Sequence, residues 1–344
     1  MSETEPAAPT RDKPRSRGKR LRYRLEYGLL KTAVWLVPKL PLRLVRAVGS
    51  GAGMLAWLCD GRGRKNGMEN LRAAFGDQYS VAQRRRILQG SYRVFGRTFL
   101  DLFWSPRIQE KDWDRYFTLQ CDSRAAEAAI AKNQAIYVTA HFGGFEWLSI
   151  AKALRNWGSM IIAQDFKNPP LTAIFRELRS AGGRQITISR EGAMLRLLKH
   201  LKKGGSAAAL VDLMVPPEQS ATVIRSFGLC TSVSLFHIAL ARRTGVPIVP
   251  ILAAPGPDRR WVIRFFDPVP IPEDEPVPQT VQRCWDVFEP IIRAQPEYWL
   301  WMYKHWRFLP EGIAPECYPE YARPNPAFDD LLSSVKAEAP GLLS

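Results

Sequence analysis

The pattern of apolar and polar positions divides the chain into two parts. The first holds its most apolar stretches. Gly28-Leu29-Leu30-Lys31-Thr32-Ala33-Val34-Trp35-Leu36-Val37 runs up to Pro38, and a second stretch over 40–58 carries Arg43, Arg46 and three glycines. Neither is the uncharged span of roughly 20 residues that a membrane-crossing helix needs. Arg20, Arg22, Arg24, Lys31, Lys39, Arg43 and Arg46 lie among Trp35, Leu36, Leu40, Leu42 and Leu44. That mixture suits a basic amphipathic helix lying in a membrane interface; an ordinary surface helix packed on the core reads the same way. Residues 62–105 have helical spacing, with Ser80 as an N-cap and Gln83 at the N3 position of a capping box.

In the second part the period switches between strand and helix. After a mixed segment over 113–121, strands are expected at 135–140, 159–163, 185–189, 207–212, 221–225, 246–252 and 261–266. Helices are expected at 145–155, 170–181, 192–203, 232–244 and 278–294, and a proline-rich loop at 268–278. Short apolar runs alternating with helical patterns predict an α/β fold. The expected architecture is a central mixed, mostly parallel sheet of about seven strands, flanked by helices. Four regions result: a basic, loose tail over 1–20, an N-terminal helical membrane-associated region over 21–105, an α/β domain over 106–310, and a loose tail over 311–344. The tail over 1–20 lacks the apolar core of a secretory signal.

Charge narrows the partners. Lys and Arg number 49 against 33 Asp and Glu, a net charge of +16. Such an excess points to a polyanionic partner: nucleic acid, anionic lipid or an acidic carrier protein. No nucleic-acid-binding signature is found, and the arginines concentrate beside the apolar N-terminal stretches. The five cysteines form no CxxC pair and their number is odd, which argues against a disulfide framework and a zinc site and for a reducing compartment. The four histidines show no metal-ligand spacing. No metal or cofactor is expected.

The best candidate chemistry is His141-Phe142-Gly143-Gly144-Phe145-Glu146. It follows the expected strand at 135–140, and ligands of open α/β sheets bind outside the carboxyl ends of strands. Gly143 and Gly144 permit close backbone approach and are expected to leave N–H groups free where negative charge develops. His141 can take a proton from a hydroxyl near neutral pH. Glu146 is expected to hold the other ring nitrogen, as the acid does in a catalytic triad. No serine or cysteine stands beside them, so the device suits direct attack by a substrate hydroxyl. A structural histidine capping a strand–helix turn is the competing reading.

The segment resembles the HX4(D/E) motif of the bacterial lipid A biosynthesis acyltransferases, within the wider lysophospholipid acyltransferase superfamily. Glu69-Asn70-Leu71-Arg72-Ala73-Ala74-Phe75, the stretch from Gly205 to Asp212 followed by Ser226-Phe227-Gly228, Ala239-Leu240-Ala241-Arg242-Arg243-Thr244-Gly245-Val246-Pro247-Ile248-Val249-Pro250, and Pro296-Glu297-Tyr298-Trp299-Leu300-Trp301-Met302-Tyr303-Lys304-His305-Trp306 resemble further family elements. The resemblance implies a glycerol-3-phosphate acyltransferase-like fold and an enzyme at the cytoplasmic face of the bacterial inner membrane, peripheral or held by a single N-terminal anchor. It implies transfer of an acyl chain from acyl carrier protein or acyl-CoA to a hydroxyl of a lipid A precursor or related anionic glycolipid, with His141 as base and Glu146 as its partner. It further implies that Arg179, or less closely Arg190, and the strand-end Asp212 bind substrate alongside Gly143 and Gly144. Two departures, Leu213 after Asp212 and Ser226 before Phe227, fall on acceptor identity more than on the reaction. An acyltransferase acting on a lysophospholipid or another glycolipid, a basic nucleic-acid-binding protein and a non-catalytic membrane protein are the alternatives.

Overall fold

The computed structural model describes residues 17–343 apart from Pro257 and Arg259. The N-terminal part is helical: α1 (Arg17–Leu36), α2 (Leu42–Cys59), α3 (Gly61–Phe75) and α4 (Val81–Trp104). The basic tail expected over 1–20 therefore meets α1 at residue 17, and residues 1–16 lie outside the described residues. Helix α4 starts at the expected capping box: Gln83 N donates to Ser80 Oγ at 3.3 Å, and Ser80 N to Gln83 Oε1 at 2.8 Å. Gly76, with φ +52°, ends α3 and separates it from α4.

Helices α2 and α4 cross in close backbone contact. A Cβ at Gly49 would stand 2.8 Å from Gly96 O, one at Gly53 2.1 Å from Tyr92 O, and one at Gly96 2.2 Å from Gly49 O. The Arg46 guanidinium reaches across this seam to the buried Asp101 carboxylate at 3.3 Å. No helix among the described residues is long and apolar enough to cross a membrane. The outer surfaces of α1 and α2 nevertheless leave Leu21, Leu25, Leu29, Trp35, Leu44 and Leu55 exposed.

A short helix α5 (Trp113–Tyr116) leads into β1 (Phe117–Cys121), α6 (Arg124–Ala131), β2 (Ile136–Thr139), α7 (Phe145–Leu154), β3 (Met160–Ile162), α8 (Pro169–Ser180), β4 (Ile186–Ile188), α9 (Ala193–Lys202) and β5 (Ala207–Leu210). A hairpin follows, β6 (Ala221–Ser226) and β7 (Leu229–Ser234), then α10 (Phe236–Thr244), β8 (Ile248–Pro255), β9 (Trp261–Phe265), α11 (Val277–Asp286) and α12 (Glu289–Ala294). The main sheet has seven strands in the order β1-β9-β8-β2-β5-β3-β4. Five run parallel; β9 pairs antiparallel with β8, and β1 runs parallel to β9. This is the mixed, mostly parallel sheet expected from the sequence.

Strand β2 sits at the middle of that order and all four of its residues are buried, as a strand covered on both faces must be. Because side chains alternate along a strand, Ile136 and Val138 join one core with Trp299, Trp301 and Trp306, while Tyr137 joins the other with Trp147 and Phe117.

Three expectations are corrected. The helix expected at 232–244 begins only at Phe236, because Phe227 (φ +53°) and Gly228 (φ +83°) make a tight turn that folds β7 back on β6. The helix expected at 278–294 is two helices, with Pro290 in the first turn of α12, where its missing N–H does no harm. The tail over 311–344, expected to be loose, carries β11 (Arg323–Pro324), which pairs parallel with β10 (Phe308–Leu309) just before it, and then α13 (Pro326–Glu338). Phe328, Leu332 and Val335 form one buried stripe on α13 that packs with Val223 of β6.

Candidate active site

Strand β2 ends at Thr139, and Ala140 to Gly144 form the turn into α7. Its neighbour β5 runs parallel, and the ladder extends one step further, Val211 N donating to Thr139 O at 2.9 Å. The residues just past the two strand ends, His141 and Asp212, are thereby brought side by side.

Asp212 is buried and its carboxylate has three donors. His141 N reaches Oδ2 at 2.8 Å, the His141 Nδ1–H reaches Oδ1 at 2.8 Å, and Trp299 Nε1 reaches Oδ2 at 2.9 Å. Burial alone would push this carboxyl up. The charge of the His141 ring and its hydrogen bond outweigh that and, with smaller help from His305 and the His141 N–H, hold it below the usual carboxylate range. A carboxylate only accepts, so Nδ1 carries the proton and the lone pair falls on Nε2. Among the described residues no hydrogen bond occupies Nε2, and the ring rests edge-on against Phe145 at 5.1 Å.

Behind Asp212, His305 stacks on Trp299 with ring centroids 4.0 Å apart, its Nδ1 3.3 Å from Asp212 O and its Nε2 2.8 Å from Leu300 O. Burial pushes the His305 ring down to about 4, so it is neutral near pH 7.

Glu146 does not hold the His141 ring. It lies in the first turn of α7, directed at α8, where Arg179 clasps it through Nε–Oε2 at 2.9 Å and Nη2–Oε1 at 2.5 Å. The pair is largely shielded from solvent. Burial opposes the guanidinium charge, but the Glu146 carboxylate overrides it and raises the Arg179 pKa. The expected partner of His141 is thus displaced by Asp212, because Asp212 already fills the Nδ1 position from the neighbouring strand.

The two glycines also differ from expectation. Their N–H groups are not free: Gly143 N donates to Tyr298 O at 2.9 Å and Gly144 N to Ala253 O at 3.3 Å. Gly143 has φ +56°, and a Cβ there would stand 2.3 Å from Ala253 O. Thr98 Oγ1 of α4 donates to Gly143 O at 2.9 Å. The glycines therefore seat the His141–Gly144 turn against β8 and the 296–306 segment.

Arg190 stands apart, exposed after β4 and hydrogen-bonded to the Gln219 side chain. Sequence patterning favours a core role for Trp299 over one in an acyl groove, and it assigns no site role to His305 or Thr98. The likeness of the 296–306 segment to a family element was the one signal that could have found the first two. Among the described residues, no group of three or more His, Cys, Asp or Glu side chains stands together as a metal site would require.

No individually curated protein matches the sequence. A model of the family described as bacterial lipid A biosynthesis acyltransferase matches residues 16–308. The match takes in α1 to α12, the whole main sheet, His141, Asp212 and the segment through Trp306. Spanning most of the chain, it places the protein among the bacterial lipid A biosynthesis acyltransferases, a family of acyl-transferring enzymes.

Proposed function

We propose that the enzyme moves a fatty acyl group from the thioester of acyl carrier protein or acyl-CoA to a hydroxyl of a lipid A precursor or related anionic glycolipid. The observation that carries this reading is the His141–Asp212 pair, with Nδ1 engaged at 2.8 Å and Nε2 unoccupied. As the acceptor oxygen attacks the thioester carbonyl carbon, its proton passes to Nε2. The C–O bond forms, the tetrahedral oxyanion collapses, the C–S bond breaks, and the departing thiolate recovers the proton from the imidazolium. Asp212 fixes the ring tautomer and stabilises the imidazolium. No protein nucleophile is needed. In place of a direct His–Glu dyad, Glu146 acts as a positioning residue, tying the first turn of α7 to α8 through Arg179.

The reading extends to the cytoplasmic face of the bacterial inner membrane. Exposed leucines and Trp35 on α1 and α2 stand among Arg20, Arg24, Lys31, Lys39 and Arg43. Basic residues beside an anionic leaflet contribute about 1 kcal/mol each. An acidic carrier protein suits the same surplus of +16.

His141→Ala is expected to slow transfer at least about 100-fold, the usual scale for losing a general base. The assay incubates acyl carrier protein or acyl-CoA thioesters with lipid A precursor, lysophospholipid and other glycolipid acceptors, and reads products by mass spectrometry. Unaltered turnover in the variant would sink the mechanism; transfer only to a lysophospholipid would replace the acceptor assignment.

A further inference from the structure

The C-terminal segment past the family match builds more than a cover for β6. Pairing of β11 with β10 sets Tyr321 and Arg323 against Lys304, Arg307 and Phe308, and Arg62 of α3 closes another side. They surround an open cavity of about 510 Å³ whose lining contains four cations and no Asp or Glu. His141 and Asp212 are not part of it. The stretch between Trp299 and Trp306 runs from the Asp212 environment to Lys304, and on the way Tyr303 Oη donates to Met214 O at 3.0 Å.

The cations are held without being neutralised. Arg323 donates to the backbone carbonyls of Glu320 and Ala322, both at 2.6 Å. Lys304 stands over the Tyr321 ring, 4.9 Å from its centroid. Glu320, the nearby acid, is bonded instead to Lys65 at 2.8 Å. Among the described residues no ion pair involves Arg62, Lys304, Arg307 or Arg323. Like charges gathered in a concave, partly apolar wall focus their field on whatever anion enters.

We infer that this cavity binds the phosphomonoester of a small ligand, either free or carried on a lipid headgroup. Guanidinium forks match phosphate oxygens two at a time. A phosphomonoester brings about −1.5 to −2 charges at neutral pH, a better balance for four cations than the single charge of a carboxylate. The volume falls in the range of small-molecule sites, roughly 300–1,000 Å³, so the phosphate can carry a further group against the Tyr321 and Phe308 rings. Tyr321 and Arg323 lie beyond residue 308, the end of the family match, so half of the site belongs to the part of this chain outside that match. Binding is read without turnover and does not depend on the acyl-transfer reading.

Calorimetric titration of the full chain with glycerol phosphate, and with glycerol as the uncharged control, tests the site. Glycerol phosphate should bind and glycerol should not. Arg62→Gln combined with Arg323→Gln should weaken binding at least about tenfold, the scale of lost charge-assisted hydrogen bonds. Lys304→Gln alone should act in the same direction. Arg85→Gln combined with Arg86→Gln, on the exposed side of α4, should leave it unchanged. No binding of glycerol phosphate, equal binding of glycerol, or an equal loss in the α4 pair would overturn the inference. Flotation with phosphatidylcholine vesicles, with and without phosphatidic acid, separates the sources. Loss of phosphatidic-acid-dependent binding in the Arg62/Arg323 variant assigns the site to a lipid headgroup. Retained vesicle binding with lost glycerol phosphate binding assigns it to a free phosphate ester.

Discussion

A carboxylate taken out of water is costly unless its oxygens are bonded, and the three donors around Asp212 meet that need while aiming the His141 ring. Asp212→Asn keeps the shape, but its amide can no longer secure the same tautomer. Transfer should fall by about 10² or more, the effect of replacing the acid of a catalytic triad. Glu146→Gln, which leaves a polar partner for Arg179, should cost less than Asp212→Asn. Steady-state kinetics on the two variants decide between the partners, and the reverse ranking would restore Glu146 to the ring. A second expectation concerns pH. Burial holds His237 and His305 down to about 4, whereas in an unfolded chain they titrate near about 6.5. Between those values the unfolded state binds more protons, so stability is complete above about pH 6.5 and declines as pH falls toward about 4, by roughly 3 kcal/mol per histidine at most. Among the described residues, neither ring nitrogen of His237 has a hydrogen-bond partner. His237→Leu should therefore flatten the decline of thermal stability between neutral and mildly acidic pH, and an unchanged slope would refute this account. At this scale His141 was legible in the sequence and its partner was not. HX4E is local, read within one turn and the helix after it; the His141–Asp212 contact spans 71 positions and exists only because β5 lies beside β2.

Strands and helices of the α/β part follow apolar periodicity, and nearly all of them stand within a few residues of where that periodicity puts them. What periodicity lacks is order. Nothing local says that β9 turns back against β8, or that the chain fills the sheet as β1-β9-β8-β2-β5-β3-β4. The departures have local causes that outweigh propensity: the positive φ pair Phe227-Gly228 made a strand where a helix was expected, and Pro290 divided a helix in two. The C-terminal tail shows a third cause. Its composition, rich in proline up to residue 326, suggests a loose segment, yet Asn325 caps α13 by accepting from Phe328 N at 2.9 Å and the helix buries a single stripe. Phe328 is fully buried in that stripe. Phe328→Ala should destabilise the protein by about 3–5 kcal/mol, the usual cost of emptying a buried aromatic site. A shift of the urea midpoint checks this; an unmoved midpoint would mean that α13 docks without contributing to the fold.

Over the whole molecule, charge and apolar surface meet at α1 and α2. Leu21, Leu25 and Leu29 repeat every fourth position along the outside of α1, and Leu29 is 74% exposed. Vesicles of anionic lipid should carry the protein down in sedimentation, less so at high salt, where surface charge is screened. Replacing Leu25 and Leu29 together by Glu should cut binding at least about tenfold, since burying a leucine is worth about 1.5–3 kcal/mol. Equal partition of that variant would remove the membrane-docking role. The crossing of α2 on α4 has a further consequence for any shortened form of the enzyme. Residues before α3 look like an appendage that could be cut away to free a soluble catalytic fragment. They are instead one wall of the catalytic body. Without α2, the strip at Gly96 loses its cover and Asp101 loses Arg46. That carboxylate, with a side chain 3% exposed in the whole chain, would lose its charged partner together with the helix that shields it. Asp101 O also accepts from Trp147 Nε1 of α7 at 2.7 Å, so the damage would reach the helix that begins at the His141–Gly144 turn. An active fragment must keep α2, and with it the greasy exterior that trimming was meant to remove.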